Sequence, residues 1–126
     1  MTPYPCPCCG HRVFVEPPGS YDICEICFWE DDNVQLRWPD YRGGANVPSL
    51  IDSQENHREF GAIERRFIEH VRPPRGDKRI EPGWRPIDRR RDSFEPYRWD
   101  HAERRPWPDD LTVLYWWRPT FWGDGA

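Results

Sequence analysis

The apolar and polar positions change their rhythm three times along the chain. His11-Arg12-Val13-Phe14-Val15 has strand character, Pro17-Pro18-Gly19 is a turn signal, and Ser20-Tyr21-Asp22-Ile23 returns. The pattern predicts a β-hairpin across residues 10–28. Phe28-Trp29 then leads into an acidic turn, Glu30-Asp31-Asp32-Asn33, and a polar loop through Gly43-Gly44. Ser49, with Asp52 three residues on, resembles a capping box and sets a helix start near Leu50. Phe60, Ile63, Phe67 and Val71 keep helical spacing, with Gly61 placed to end one helix and let a second begin. Arg72-Pro73-Pro74 closes that segment. From residue 75 onward Trp, Pro and Arg interleave, and only Leu111 to Trp117 reads as a strand. No internal repeat is evident.

These elements predict a small α+β protein. Residues 1–73 form a cysteine-rich, zinc-ribbon-like hairpin module with a helical segment. Residues 74–126 form an irregular Trp/Pro-rich extension that packs on it and adds one strand.

Composition sharpens this. Of 126 residues, 37% are hydrophobic and 32% charged, which is lean for a core even with eight Trp, six Phe and five Tyr. A domain this thin usually needs a metal or disulfides. Residues 1–71 carry six Arg against twelve Asp/Glu, net −6; the remainder carries twelve basic against ten acidic residues, net +2. The acidic front half argues against binding a phosphate backbone there. The Arg89-Arg90-Arg91 run with its Trp neighbours is balanced by acids, so a nucleic-acid partner is not expected.

The chemistry lies in the cysteines. Cys6-Pro7-Cys8-Cys9 and Cys24-Glu25-Ile26-Cys27 form a C-x2-C-x14-C-x2-C frame, the spacing of a four-thiolate zinc site. Pro7 fixes φ inside the first turn and Gly10 accepts positive φ after it, whereas Phe28 stands where the second turn would favour glycine. Cys6, Cys9, Cys24 and Cys27 are the expected ligands of Zn²⁺, with iron as the alternative metal. Cys8 is expected as an exposed turn residue pointing away from the metal; its competing reading is an alternative ligand or reactive thiol. An odd cysteine count and the lack of an apolar leader point to a reducing, cytoplasmic setting, and no membrane span is expected.

Tyr4-Pro5-Cys6-Pro7-Cys8-Cys9-Gly10, Cys24-Glu25-Ile26-Cys27-Phe28-Trp29-Glu30-Asp31-Asp32 and Asp40-Tyr41-Arg42-Gly43-Gly44 together resemble the bacterial cysteine-rich CPCC family. The resemblance covers about residues 4–73. It implies zinc binding through the cysteines without an established activity, and it admits an immunity-type role, since some members lie near toxin genes.

A closed four-cysteine site leaves no open coordination position, so the expected function is non-catalytic: a zinc-stabilised module that presents a surface to a protein partner. Trp29, Glu30, Asp31 and Asp32 are the candidate surface, against the plainer reading in which Trp29 packs on the metal knuckle and the acids solvate a turn. The rivals are a rubredoxin-like Fe(Cys)4 electron carrier, a nucleic-acid binder, and a dithiol redox enzyme, the last lacking its usual βαβ setting. Asp31, Asp32, His57, His70 and His101 form no catalytic constellation, and His57 and His70 read as surface residues.

Overall fold

In the computed structural model, residues 2–97 and 105–124 are described; His101 lies outside them. The only sheet among the described residues is a two-stranded antiparallel one, β1 (Tyr4–Pro5) paired with β2 (Arg12–Phe14). The partner of β2 is therefore the segment before the first cysteine pair, not residues 20–23 as the sequence pattern had suggested. The turn of this hairpin is the Cys6–Gly10 loop itself. Residues 20–23 instead belong to a second, separate turn, with a bridge between Ile23 and Glu30. Pro17-Pro18-Gly19 is a connector between the two. The alternation in 11–15 gives β character but does not name the partner, and local closure across a five-residue knuckle wins.

The missed helix α1 (Asn33–Arg37) starts in what the sequence presented as an acidic turn. Asp32 caps it, accepting from Val34 N at 2.7 Å and Gln35 N at 3.3 Å, and its second oxygen accepts from Ala45 N at 2.8 Å. Gln35, fully buried, donates to the carbonyls of Tyr41, Asn46 and Pro48 and accepts from Asn46, which stitches the following loop onto the helix. Helix α2 (Leu50–Phe60) begins and ends as expected: Ser49 Oγ accepts from Asp52 N at 3.0 Å, and Gly61 closes it in the left-handed region. Residues Arg65–His70 follow as a 3-10 helix.

The expected strand at 111–117 is absent. Leu111–Leu114 form a 3-10 helix that packs on α1. Asp110 starts it, accepting from Thr112 N and Oγ1 at 3.0 and 2.6 Å, so local capping overrides the β-preference of the Thr-Val-Leu-Tyr run. Trp122 N donates to Val113 O at 3.0 Å, folding the chain end back.

The core is one cluster. It joins the cysteines with Phe14, Trp29, Leu36, Leu50 and Ile63 from the front of the chain and Leu114, Tyr115 and Trp116 from the tail. Two buried charges anchor the tail further. Glu81 accepts from Arg118 and Trp117 and pairs with Arg12. Arg37 pairs with Glu95, donates to Arg105 O at 2.7 Å, and lies over the rings of Trp38, Trp107 and Trp122 at 4.6, 4.6 and 5.0 Å. Residues 79–81 run beside the free edge of β2: Arg12 N donates to Arg79 O and Glu81 N to Gly10 O, both at 2.8 Å, around a bridge between His11 and Ile80. Among the described residues no helix is long and apolar enough to cross a membrane.

Gly10 sits at φ 81° directly under Trp84, where an added Cβ would meet the indole at 2.4 Å. Gly10→Ala therefore combines backbone strain with overpacking and should cost about 2–4 kcal/mol in chemical denaturation. Gly43→Ala, also at positive φ (78°) but in open space, should cost only about 1–2 kcal/mol. Equal losses at the two sites would show that the contact with Trp84 contributes nothing.

Candidate metal centre

The two cysteine pairs sit in two turns that share one backbone design. In the first, Cys6 N donates to His11 O at 2.8 Å and Gly10 N to Cys6 O at 2.7 Å. In the second, Cys24 N donates to Trp29 O at 2.8 Å and Phe28 N to Cys24 O at 2.9 Å. The residue after each pair has positive φ, 81° at Gly10 and 73° at Phe28. Phe28 holds a conformation that glycine adopts freely, and packing supports it: its ring lies 4.4 Å from Phe67 and 5.7 Å from His70. The two Cys-x-x-Cys turns thus share their backbone bonds as well as their spacing.

The turns bring the Sγ atoms of Cys6, Cys9, Cys24 and Cys27 within 4.8 Å of one another. Cys6 faces Cys27 at 3.6 Å and Cys9 faces Cys24 at 3.8 Å. A tetrahedron with metal–sulfur bonds of ~2.3 Å has sulfur–sulfur edges of ~3.8 Å, so the four residues fit a bound metal ion. None is in a disulfide, and all four are buried. Ile26 N donates to Cys24 Sγ at 3.4 Å, a backbone N–H directed at a sulfur.

Burial pushes the Cys6 and Cys27 thiols well above their ordinary range and raises Cys9 as well. Burial acts the same way on Cys24, but hydrogen bonds from Cys27, Cys6 and Cys9 more than reverse it and hold its thiol below the ordinary range. Four thiolates in so dry a space require a cation among them.

Cys8 is not one of the four. It is also not exposed: at 1% accessibility it packs into the core cluster, because the tail covers the turn on which the sequence had left it in solvent.

The candidate partner surface fails on the same ground. Trp29 is fully buried against the knuckles, and Asp31 and Asp32 are 3% and 4% exposed. Asp32 is the cap of α1, and Asp31 accepts from Ser20 Oγ at 2.7 Å and Ser20 N at 3.2 Å. Glu30 is half-buried, its backbone bonded to Asn46 through both N–H and C=O. His70 is exposed as expected, but His57 is half-buried, with its pKa lowered by that burial.

A family model described as cysteine-rich CPCC matches residues 4–78. The chain belongs to the cysteine-rich CPCC family. The match takes in Lys78, whose carbonyl holds His11 Nδ1 at 2.7 Å, so the CPCC region includes the start of the segment that covers the first knuckle. No curated protein matches the chain. Membership and the four-sulfur cluster agree on metal binding.

Burial raises the Asp31 carboxyl to about 6, against the pull of Ser20. The folded protein thus holds this proton more tightly than the unfolded chain, whose aspartates titrate near ~3.9. Stability is fully present below that value and declines as pH rises through about 6. Asp31→Asn should therefore gain on the wild type by about 1 kcal/mol between pH 5 and pH 7.5 in paired denaturation curves, metal loss being common to both. A constant margin across that range would refute the shifted titration.

Proposed function

We propose that this CPCC protein is non-catalytic, and that its four-cysteine centre holds a structural Zn²⁺ which organises a protein-interaction module. The observation that carries this reading is the closure of the site: four buried sulfurs fill the coordination shell and leave no position for water or substrate. A two-stranded sheet and a few short helices bury too little to do without such a clamp. A contact surface is supported beside the second knuckle, where Ile23 and Val47 are 50% and 62% exposed around a small depression shared with Phe28 and Phe67.

Metal analysis with a visible spectrum tests the reading. One zinc per chain and no colour are expected. One iron with a red chromophore would replace it with electron transfer, and a folded chain without metal would end it.

Cys27→Ser and Cys9→Ser should each lose the metal and the cooperative melt, because the binding energy, on the order of 10–16 kcal/mol, is part of the folding energy. Cys8→Ser should keep one metal per chain and lower stability by only about 1 kcal/mol. Loss of metal from the Cys8 variant would make Cys8 a ligand and overturn the assignment.

A further inference from the structure

A cavity of about 330 Å³ lies behind the first knuckle, between α2 and residues 80–87. Helix α2 lines it with Ile51, Gln54, Glu55 and Arg58, one stripe at i, i+3, i+4 and i+7. Ile80, Trp84 and Ile87 supply apolar walls on the other side. Its volume is in the range of small-molecule sites.

Gln54, Trp84 and His11, which line it beside the half-buried His57, are already committed. Gln54 donates to Pro7 O and accepts from Ile87 N, both at 3.0 Å. Trp84 Nε1 donates to Pro7 O at 3.3 Å, and His11 Nδ1 is held by Lys78 O at 2.7 Å. Glu55 and Arg58 are different: neither makes an ion pair or side-chain hydrogen bond with another described residue, although they line one cavity, three residues apart and of opposite charge. Nearby acids and bases do pair, as in Arg42–Asp52 at 2.8 Å and Arg66–Glu64 at 3.1 Å.

We propose that this cavity binds a small zwitterion with an apolar body, an α-amino acid bearing an aromatic or branched side chain. Arg58 receives the carboxylate, Glu55 the ammonium, and the side chain lies among Trp84, Ile51 and Ile87. A simple anion would face Glu55, and a simple cation would face Arg58; only a ligand with both charges is complementary to the pair. The site requires a folded first knuckle, whichever metal holds it, so its failure would leave the structural reading of the centre intact.

The test titrates L-phenylalanine, 3-phenylpropanoate and phenethylamine into the full-length, metal-loaded protein, following amide shifts of α2 and the Trp84 indole by NMR. L-Phenylalanine should give saturable shifts at the cavity with Kd about 1 mM or tighter. Each analogue, lacking one charge, should bind at least about fivefold more weakly. Glu55→Gln should bring L-phenylalanine down to the affinity of 3-phenylpropanoate, and Arg58→Gln to that of phenethylamine. No saturable shift, shifts elsewhere on the surface, or equal binding of all three compounds would overturn the proposal.

Discussion

Four sulfurs held within 4.8 Å of one another, out of contact with water, are the constraint around which this molecule is arranged. Burial there favours neutral thiols, and four thiolates there would repel one another. A bound cation would offset that repulsion and would join the two short turns. The backbone is prepared for this independently of the metal, since each turn closes on itself with the same two hydrogen bonds and the same positive φ. The chain thus supplies the geometry, and a bound metal would supply attraction that β1 and β2, only two and three residues long, cannot.

A second set of constraints holds the tail, and it is ionic. Arg37 and Glu81 are 2% and 4% exposed, and each is surrounded by partners from distant parts of the chain. Removing one partner from such a group leaves a buried charge uncompensated, which is far more damaging than losing an exposed pair. Arg37 is also enclosed by three indole rings, so the tryptophans of the tail act as apolar packing and as a shell around a cation. Trp107 and Trp122 therefore have a packing role inside the protein.

What the sequence made legible were features with a short-range signature. The CxxC spacing named the residues that converge, and Ser49 and Gly61 marked the two ends of α2. What it concealed depended on competition between partners. Residues 11–15 have the same alternation whether they pair with 4–5 or with 20–23, and only the closed knuckle decides. Leu111 to Trp117 is strand-like in composition, but Asp110 offers a nearer hydrogen-bond partner than any strand edge. The Asp32 cap of α1 was missed, because its acids resemble solvated turn residues until the loop of Asn46 closes over them. Burial of Cys8, Trp29, Asp31 and Asp32 is a property of tertiary packing, and no local pattern expresses it.

The two knuckles differ most where their backbones agree. At the same turn position one has Gly10 and the other Phe28, and the consequences run in opposite directions. Phe28 fills its own surroundings by stacking on Phe67, so the second knuckle is sealed by the segment immediately after α2. Gly10 leaves a gap that is filled from 74 residues away by Trp84, whose indole is tied to Pro7 O. A wall borrowed from so distant a segment does not follow the helix closely, and the space between Trp84 and α2 is the cavity. The first knuckle supplies Cys8 and Cys9 as one boundary of that pocket and Pro7 as the anchor of both Gln54 and Trp84, while α2 supplies its charged side chains.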